Sequence, residues 1–489
     1  MKALTEALHD APVLGPLLRI EDRIEGEIRA AIAGTPQEGL AEAIEPAVIL
    51  RHTEELVTNL QSLADATTAS PAERLLAAEA DDAVRFVMAL LCRYDAVLQN
   101  PPFGEPVPST KPYLKASYPW IPTKDYNLLA AFVGRGLELC QPGVGYVGAI
   151  TSRAGMFLKT FQAWRKDVVL GYDLVTVADL GYGVMEGAQV EAAAYVLGNS
   201  TAALGQKATF IRLLKDTDKP AGLVAAIEIR RRQEEDDRIF RMPPHDLHTV
   251  PGSPIAYWMS PAIRRLFTDH PALEGMAGDV RQGLATGDNF RFVRAFWEVN
   301  PSQIARTREE SKSGKRWAPF AKGGEYSPFW ADIHLVVDYG KDGHALRNYK
   351  GSRVQSTQFY FRRGLTWPER TTSGFGPRIL PVGTVFSHVG HGIFPTVDRG
   401  AMLGFLMSRL TNVLLAASLG SAESTRSGSP AKRYSVGSVQ RLPWLPELDK
   451  DTQLSRLALE VADLRRYEDS SDETSRLFKA PSIMNELLI

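Results

Sequence analysis

Between residues 94 and 215, short apolar segments alternate with longer segments of helical pattern, and this alternation constrains the fold more than any other feature. Two of the longer segments, YNLLAAFVGRGLELC and FLKTFQAWRKDVV, have apolar residues at helical spacing. Strands that alternate with helices predict an α/β fold with a mostly parallel sheet covered on both faces. The apolar segments have the length and composition of buried strands, and they are YDAVLQ, VGYVGAIT, LVTVADLG and EAAAYVLGN.

The 489-residue chain differs in composition and pattern on the two sides of this region. Residues 1–93 are rich in Ala, Leu and Glu at helical spacing and predict a helical segment. A charged helix followed by a proline-rich stretch predicts a helical linker over 216–275. Aromatic, Gly-rich and Pro-rich segments predict a mixed α/β module over 276–446. Residues 447–489 have the pattern of a C-terminal amphipathic helix, so we expect five parts, with the predicted sheet at 94–215.

Composition and hydropathy exclude several classes of protein. Hydrophobic residues make up 44% and charged residues 23% of the chain, as in folded globular proteins. The two cysteines, Cys92 and Cys140, lie in apolar segments, so neither a disulfide framework nor a Cys-based zinc site is expected. No stretch approaches the roughly 18 uncharged apolar residues of a membrane helix, and the N-terminus lacks a signal-peptide pattern. We expect a cytoplasmic protein without a membrane contact.

The formal net charge of -1 hides a strong asymmetry along the chain. Residues 1–100 contain 8 Lys and Arg against 17 Asp and Glu, which gives a local charge of -9. Residues 281–380 contain 17 against 9, which gives +8, and are also rich in aromatic residues. An acidic end and a basic, aromatic-rich block predict two surfaces with different partners.

The tetrapeptide Asn100-Pro101-Pro102-Phe103 directly follows the first predicted strand. Ligands of open α/β sheets bind beyond the carboxyl ends of the strands, so chemistry is expected at this loop. Two prolines fix φ and lack an N–H, which leaves a rigid loop whose carbonyls can accept hydrogen bonds. The Asn100 oxygen and a neighbouring carbonyl could hold one exocyclic amine, and Phe103 could stack on its planar group. Because X-Pro-Pro turns also serve purely as strand terminators, the tetrapeptide alone leaves both interpretations open.

This tetrapeptide resembles motif IV of the amino-methyltransferases, in which the pattern is Asn/Asp/Ser-Pro-Pro-aromatic. The succession of helix, strand, Arg-containing helix and hairpin over 124–199 is similar to that of the γ-type adenine-specific DNA methyltransferases. The resemblance implies a partial Rossmann-like methyltransferase sheet, preceded by helices and followed by a target-recognition domain. Four later stretches look like the corresponding parts of PglX-type methyltransferases of BREX phage-defence systems, namely 286–299, 315–330, 366–394 and 434–446.

For the site, the resemblance implies an adenine turned out of duplex DNA. Its N6 amine would be held by Asn100 and the Pro101 carbonyl, and Phe103 would stack on the ring. Such acceptors stabilise the positive charge that develops on the nitrogen as it takes a methyl group from S-adenosyl-L-methionine.

The chain departs from this family in one respect. A donor site needs a glycine-rich loop after a strand and an acid on the next strand, and residues 1–93 contain no such pattern. A rival placement of the loop at 175–187, in VTVADLGYGVMEG, would make a permuted enzyme, but the next segment is strand-like too soon for a full helix. We therefore expect a β-hairpin at the sheet edge there. We also expect a protein partner that supplies the donor-binding half, and an apolar face where that half is missing.

The basic block predicts contacts with duplex DNA. His388 and His391 are three residues apart without a visible third ligand, so we expect structural histidines and no metal. Tyr118 and Trp120 could line the pocket for an extruded base or belong to the core. The candidate DNA-contacting residues form two Gly-containing turns and an Arg pair, namely Thr286, Gly287, Asp288, Asn289, Arg291, Lys322, Gly323, Gly324, Arg362 and Arg363.

Three functions remain open from the sequence. The leading hypothesis is a split or truncated N6-adenine DNA methyltransferase of a phage-defence or restriction-modification system. The second is a non-catalytic DNA-binding specificity subunit of such a system, which the missing donor loop favours. The third is an RNA or protein amide methyltransferase, since those families also use Asn-Pro-Pro-Tyr/Phe.

Overall fold

The computed structural model describes residues 11–19, 82, 85–102, 104–124, 126–185, 190–203, 205–419, 423–424 and 430–479. The chain divides into two units, Met1–Leu247 and His248–Ile489, and the boundary lies inside the 216–275 segment. Most of the helices expected within 1–93 lie outside the described residues.

The first unit contains a six-stranded sheet. Its strands are β1 (Ala96–Gln99), β2 (Tyr146–Ser152), β3 (Asp173–Gly181), β4 (Ala192–Gly198), β5 (Ala208–Arg212) and β6 (Ile239–Met242). They lie in the order β1-β2-β4-β3-β5-β6. β1, β2, β3 and β5 run in one direction, whereas β4 and β6 run in the other. The expected α/β sheet, with most strands parallel in direction, is confirmed.

The four predicted apolar segments form β1 to β4, but the hairpin is not at the edge. β3 and β4 form the expected antiparallel hairpin, and β4 lies between β2 and β3 inside the sheet. The sequence analysis missed β5 and β6. The predicted charged helix ends at Arg231, because the chain turns through Gln233 at φ 60, and Ile239 and Phe240 pair in β6 instead.

The two faces of this sheet are covered differently. One face is closed by a helix over β1 and β2, and Val147, Leu197 and Phe210 are fully buried there. On the other face Leu98 is 84% exposed. The expectation of cover on both faces is therefore wrong at β1, where the described residues leave the second face open. The helices of this unit include α1 (Ala11–Leu14), α2 (Lys111–Ser117), α3 (Leu128–Leu139), α4 (Gln162–Trp164) and α5 (Lys219–Arg231).

The second unit contains three small sheets, in the orders β14-β9-β10-β8, β13-β11-β15-β7 and β12-β17-β16. Every residue of β9 and β11 is buried, so these strands lie inside the unit. The strands are β7 (Gly278–Arg281), β8 (Val293–Ala295), β9 (Trp317–Ala321), β10 (Leu335–Asp338), β11 (Gly364–Pro368), β12 (Arg370–Thr371), β13 (Arg378–Leu380), β14 (Val385–Phe386), β15 (Gly390–Pro395), β16 (Glu423–Ser424) and β17 (Pro430–Arg433).

Helices pack closely on these sheets. Gly400 and Gly404, one turn apart on α11, lie directly against Ser455 and Leu454 of α14, because a Cβ on either glycine would be within 2.6 Å of them. α11 and α12 together have the length and apolarity of a membrane span but are bent by 65°, and no single helix in the described part of the chain has both. The helices are α6 (Pro261–Asp269), α7 (Leu273–Met276), α8 (Asn289–Phe292), α9 (Arg308–Lys312), α10 (Gly340–Arg347), α11 (Arg399–Met407), α12 (Arg409–Leu419), α13 (Val436–Gln440) and α14 (Thr452–Asp469).

Candidate functional site

The Asn-Pro-Pro-Phe loop leaves the sheet at the carboxyl end of β1. Asn100 is exposed, and its side chain has no hydrogen-bond partner among the described residues. Pro101 is buried and Pro102 is exposed, so the loop is anchored by one proline and open to solvent at the next. Phe103 lies outside the described residues. The geometry leaves the Asn100 amide available to a ligand.

The helix α3 packs against β1, the strand that leads into this loop. A Cβ on Gly136 would lie 2.8 Å from Gln99 Nε2 and 3.3 Å from a methyl of Val147, so the helix packs closely against β1 and β2 at this glycine. Asn127 caps the helix by accepting from Leu129 N at 3.1 Å. Leu128 N donates to Gly104 O at 3.2 Å, which ties the far end of the loop to the same helix.

A pocket of 630 Å³ opens beside Asn100 on the less covered face of the sheet. It is lined mainly by apolar side chains, among them Leu98, Ile150 and Val196 of the sheet and Leu223 and Ile227 of α5. None of its fourteen lining residues is acidic, and none belongs to a glycine-rich loop that follows a strand. This pocket therefore lacks the acid that holds the ribose hydroxyls of S-adenosyl-L-methionine in Rossmann-like sites.

A buried ion-pair cluster lies at the same carboxyl edge of the sheet. Arg153, just after β2, donates to both oxygens of Asp179 on β3, at 2.6 and 3.2 Å, and both side chains are at most 4% exposed. Arg153 also contacts Glu191, just before β4, at 3.4 Å. The sequence analysis missed this cluster, although an aspartate inside the apolar segment LVTVADLG signals a buried partner.

Glu191 and Tyr182 extend this cluster toward solvent. Burial raises the pKa of Glu191 above its ordinary value, although the nearby Arg153 acts in the opposite direction. Burial and the neighbouring Glu191 raise the pKa of Tyr182, whose side chain is still 40% exposed. The edge beside the loop thus combines a buried ion pair with a partly exposed ring.

Tyr118 and Trp120 do not line the pocket beside Asn100. Tyr118 is completely buried, and its hydroxyl donates to Leu17 O at 2.8 Å. The Trp120 ring lies against Gly134 of α3, where a Cβ would be 2.7 Å away. Both rings therefore belong to the packing around α2 and α3, as one of the two open interpretations expected.

The first candidate DNA-contacting turn is well ordered by its own hydrogen bonds. Thr286 is buried and donates to Asn289 Oδ1 at 2.7 Å, and Asp288 caps α8 by accepting from Arg291 N at 3.0 Å. Gly287 has φ 72, where a Cβ would collide with Gly351 O. Arg291 is exposed, and its guanidinium lies over the ring of Tyr349 at 5.3 Å. The side chains of Thr286, Asp288 and Asn289 therefore shape the turn, and Arg291 is the cation that it presents.

The remaining candidates lie in separate places in the second unit. Arg362 and Arg363 are exposed, and Arg362 lies over Phe359 at 5.5 Å, while Lys322 is half-buried in a pocket. The aromatic content of the basic block forms core more than surface. Trp297 is 62% exposed and Tyr349 is half-buried. Six other rings of the block are buried, namely Trp317, Trp330, Phe359, Tyr360, Phe361 and Trp367.

The two histidines do not form a metal site. His391 is 1% exposed, lies 5.0 Å from the Trp367 ring centroid and has its Nε2 atom 3.7 Å from Glu369. His388 Nδ1 lies 3.3 Å from Leu284 O. Within the described ranges, no group of three His, Cys, Asp or Glu side chains could hold a metal ion.

Comparisons with known proteins find similarity to methyltransferases, and the part matched by one family model includes the Asn-Pro-Pro-Phe loop. The family model of the Eco57I restriction-modification methylase matches residues 50–184, which include the loop. The adenine-specific methyltransferase BrxX of Escherichia coli O9:H4 (strain HS) is 27% identical over 411 residues. The adenine-specific methyltransferase PglX of Lacticaseibacillus casei (strain Zhang) is 26% identical over 374 residues. The chain is similar to two adenine-specific methyltransferases named BrxX and PglX. The resemblance expected from the sequence is thus confirmed.

The coverage of these matches is uneven. BrxX and PglX match 82% and 74% of this chain, but the chain spans only about a third of their length, 31% and 30%. Among solved structures, the Type IIL restriction-modification enzyme MmeI in complex with DNA is 13% identical, with 80% of this chain and 51% of that chain covered at a TM-score of 0.48.

Proposed function

We propose that this chain is the catalytic-loop and target-recognition part of an adenine-specific DNA methyltransferase, which transfers a methyl group from S-adenosyl-L-methionine to adenine N6 in duplex DNA. The observation that carries the proposal is the exposed, unbonded amide of Asn100 at the carboxyl end of β1, followed by two prolines. The relationship to the PglX-type methyltransferases supports it. The modified DNA would be marked as self in a BREX-like or restriction-modification system.

The role of the loop in this proposal is to hold the amine. The Asn100 Oδ1 and the Pro101 carbonyl each accept one N6–H of an extruded adenine, and Phe103 stacks on its ring. As the N6 lone pair forms the new bond to the methyl group, the bond from that methyl group to the donor sulfonium sulfur would break and leave a neutral thioether. Positive charge develops on N6, and both acceptors stabilise it. The proton then leaves N6 for solvent. The donor is held outside the described residues, so no residue here is assigned to it.

The donor-binding half is proposed to dock at β1. Among the residues that the structure describes, β1 pairs with β2 and leaves its other edge without a strand, and Leu98 beside it is exposed. An unpaired edge and an apolar face are what a further strand and its helices would cover. That half belongs either to a longer form of this chain or to a separate protein.

The test is reconstitution of methyl transfer. The chain is mixed with a polypeptide that carries the donor-binding half, and transfer of labelled methyl groups to duplex DNA is measured. We expect Asn100→Ala to lower kcat by about 100-fold or more, as removal of a group that stabilises transition-state charge does elsewhere. Asn412→Ala, an exposed asparagine of the second unit, is the matched control. Full activity of Asn100→Ala would refute the role of the loop.

A second candidate is a non-catalytic DNA-binding specificity subunit. The absence of any acid from the pocket beside Asn100 favours it. Calorimetric titration of S-adenosyl-L-methionine into the chain, with and without the donor-binding half, separates the two. Donor binding that appears only with that half, together with methyl transfer, supports the enzyme, whereas DNA binding without any transfer supports the subunit.

A further inference from the structure

A small pocket in the second unit lies beside the turn formed by Lys322, Gly323 and Gly324. Its volume is 210 Å³, and the turn follows β9 directly. The opposite wall is made by β11 and β13, in which Thr366 and Arg378 are directly paired across the strands. Directly opposed residues project from the same face of a sheet, so both side chains belong to one wall.

Arg378 is a buried cation without a carboxylate partner. It is 7% exposed, and two of its N–H groups donate to the carbonyl oxygens of Glu325, at 3.1 Å, and Gly323. Burial lowers the pKa of Arg378 to about 10, so the guanidinium is still charged at neutral pH. A buried charge is costly unless an opposite charge accompanies it, and no carboxylate forms an ion pair with Arg378 in the described part of the chain.

Lys322 adds a second cation to the same pocket. No acidic side chain lies within ion-pair distance of it among the residues described, and burial lowers its pKa. The acid that does line the pocket is Asp332, and its carboxylate is engaged by Ser475 at 3.2 Å and by the Arg476 backbone N–H at 2.9 Å. The pocket therefore presents two positive groups that form no ion pair among the described residues, and its one carboxylate, Asp332, is paired with Arg476 instead.

Thr366 supplies an unused hydrogen-bonding group. Its side chain is 3% exposed, and Oγ1 has no hydrogen-bond partner. Buried hydroxyls are nearly always bonded, so an orphan in a pocket wall indicates a ligand. The turn leaves room for one, because Gly324, at φ 96, has a Cβ position with nothing nearer than Arg378 Nη2 at 3.9 Å.

We propose that this pocket binds a phosphate oxyanion, held by Lys322, Arg378 and Thr366. The source of the phosphate is either the backbone of the DNA or a free phosphate group. The first source rests on the proposed function, whereas the second does not. Two cations and a hydroxyl that line one pocket supply the charge and the hydrogen-bond donors that the non-bridging oxygens of such a group need.

Thermal unfolding tests the site without DNA. The melting temperature of the protein is measured in potassium phosphate and in potassium chloride of equal ionic strength. Because phosphate also stabilises folded proteins without binding a site, specific binding is the part of the rise that Lys322→Ala loses and Lys350→Ala keeps. We expect a rise in phosphate for the wild-type protein. In Lys322→Ala and Thr366→Val the affinity for phosphate should fall by about tenfold, and Thr366→Ser should restore it. Lys350→Ala, an exposed lysine, is the matched control. Because Thr366→Val removes only an unbonded hydroxyl, it should not lower stability in chloride.

Binding to duplex DNA over a range of salt distinguishes the sources. If a DNA phosphate occupies the pocket, Lys322→Ala lowers the slope of log affinity against log salt by about 0.9, and Lys350→Ala leaves it unchanged. A phosphate response with an unchanged slope assigns the site to free phosphate. The proposal is overturned if the wild-type protein shows no phosphate-specific rise and the DNA slope of Lys322→Ala equals that of the wild-type protein. Loss of methyl transfer alone bears on the proposed function and leaves these readings intact.

Discussion

The two units of this chain differ in how completely they bury their apolar strands. In the second unit every residue of β9 and β11 is buried, and Leu403 of α11 is fully enclosed. In the first unit one face of the sheet is just as well packed, whereas the other leaves Leu98 84% exposed beside a strand edge. The second unit thus completes its core with its own residues, and the first does so on one face.

The difference bears on where function lies. Asn100 stands at the end of β1, next to both the packed face and the open one. The packed face fixes the loop through α3, and the open face is where another layer would bring a donor. Substitutions on the packed face and on the open face should therefore differ in their effects on stability and on assembly.

The largest effect should come from the ion pair at the end of the packed face. Asp179→Ala removes the carboxylate that both Nε and Nη2 of the buried Arg153 contact, and we expect a loss of about 3 to 5 kcal/mol in the free energy of unfolding. Denaturant unfolding measures it. The control is Glu460→Ala in the exposed pair with Arg456, where the change should stay below about 1 kcal/mol. Equal losses in the free energy of unfolding for the two variants would show that burial does not make the Arg153–Asp179 pair more important than an exposed pair.

The sequence was sufficient for the parts of the fold that rest on local pattern. β1 to β4, α3 and α14 follow from apolar periodicity, and Asn100 from its place after a strand. β6 was missed because its pattern continues a charged helix and only pairing with β5 makes it a strand. The Arg153–Asp179 pair and the pocket of Lys322, Thr366 and Arg378 join residues far apart in sequence, and no local pattern reports such a contact.

A second prediction concerns the close approach of α3 to β1. In Gly136→Ala the new methyl would lie 2.8 Å from the mobile end of Gln99, which can move aside, and 3.3 Å from a methyl of the fully buried Val147, which has little room to move. We expect a loss of about 1 to 3 kcal/mol in the free energy of unfolding, together with weaker adenine binding through Asn100. Chemical denaturation gives the first and methyl-transfer KM the second. Gly143→Ala, whose Cβ would meet no neighbour but whose φ is 80, controls for backbone strain alone. An unchanged KM for Gly136→Ala would show that this packing does not position the loop.

A third prediction tests a charged group inside the core of the second unit. Burial acts to raise the pKa of Glu369, but the hydrogen bond from Arg433 Nε at 3.0 Å and the nearby His391 Nε2 at 3.7 Å lower it to about 2. The folded-state pKa lies below the ordinary 4.5, so the stabilisation is present above pH 4.5 and is lost as the pH falls toward 2.

We therefore expect Glu369→Gln to lower stability at pH 7 by about 1 to 2 kcal/mol, a modest value because Arg433 is half exposed. The difference from the wild-type protein should shrink between pH 4.5 and 2. Melting temperatures at pH 7 and pH 3 measure it, with Glu460→Gln as the exposed control. A difference that stays constant with pH would show that the carboxylate charge is not the cause.

The smallest effect on stability should come from the open face itself. Leu98→Ser removes an apolar side chain that is already in water, so the free energy of unfolding of the isolated chain should change by no more than about 0.5 kcal/mol. Leu403→Ser, in the enclosed core of the second unit, should cost about 2 to 5 kcal/mol. The two substitutions are chemically identical, so any difference reports the surroundings alone.

In the reconstituted enzyme, Leu98→Ser should have a larger effect than in the isolated chain. If the donor-binding half covers Leu98, burial of a leucine contributes about 1.5 to 3 kcal/mol to assembly, and Leu98→Ser should weaken association by about 10- to 100-fold. Sedimentation of the mixed chains measures that loss. A Leu98→Ser protein that assembles as tightly as the wild type would show that the open face is not the docking surface. A large loss of stability in the isolated chain would show instead that this face is already covered.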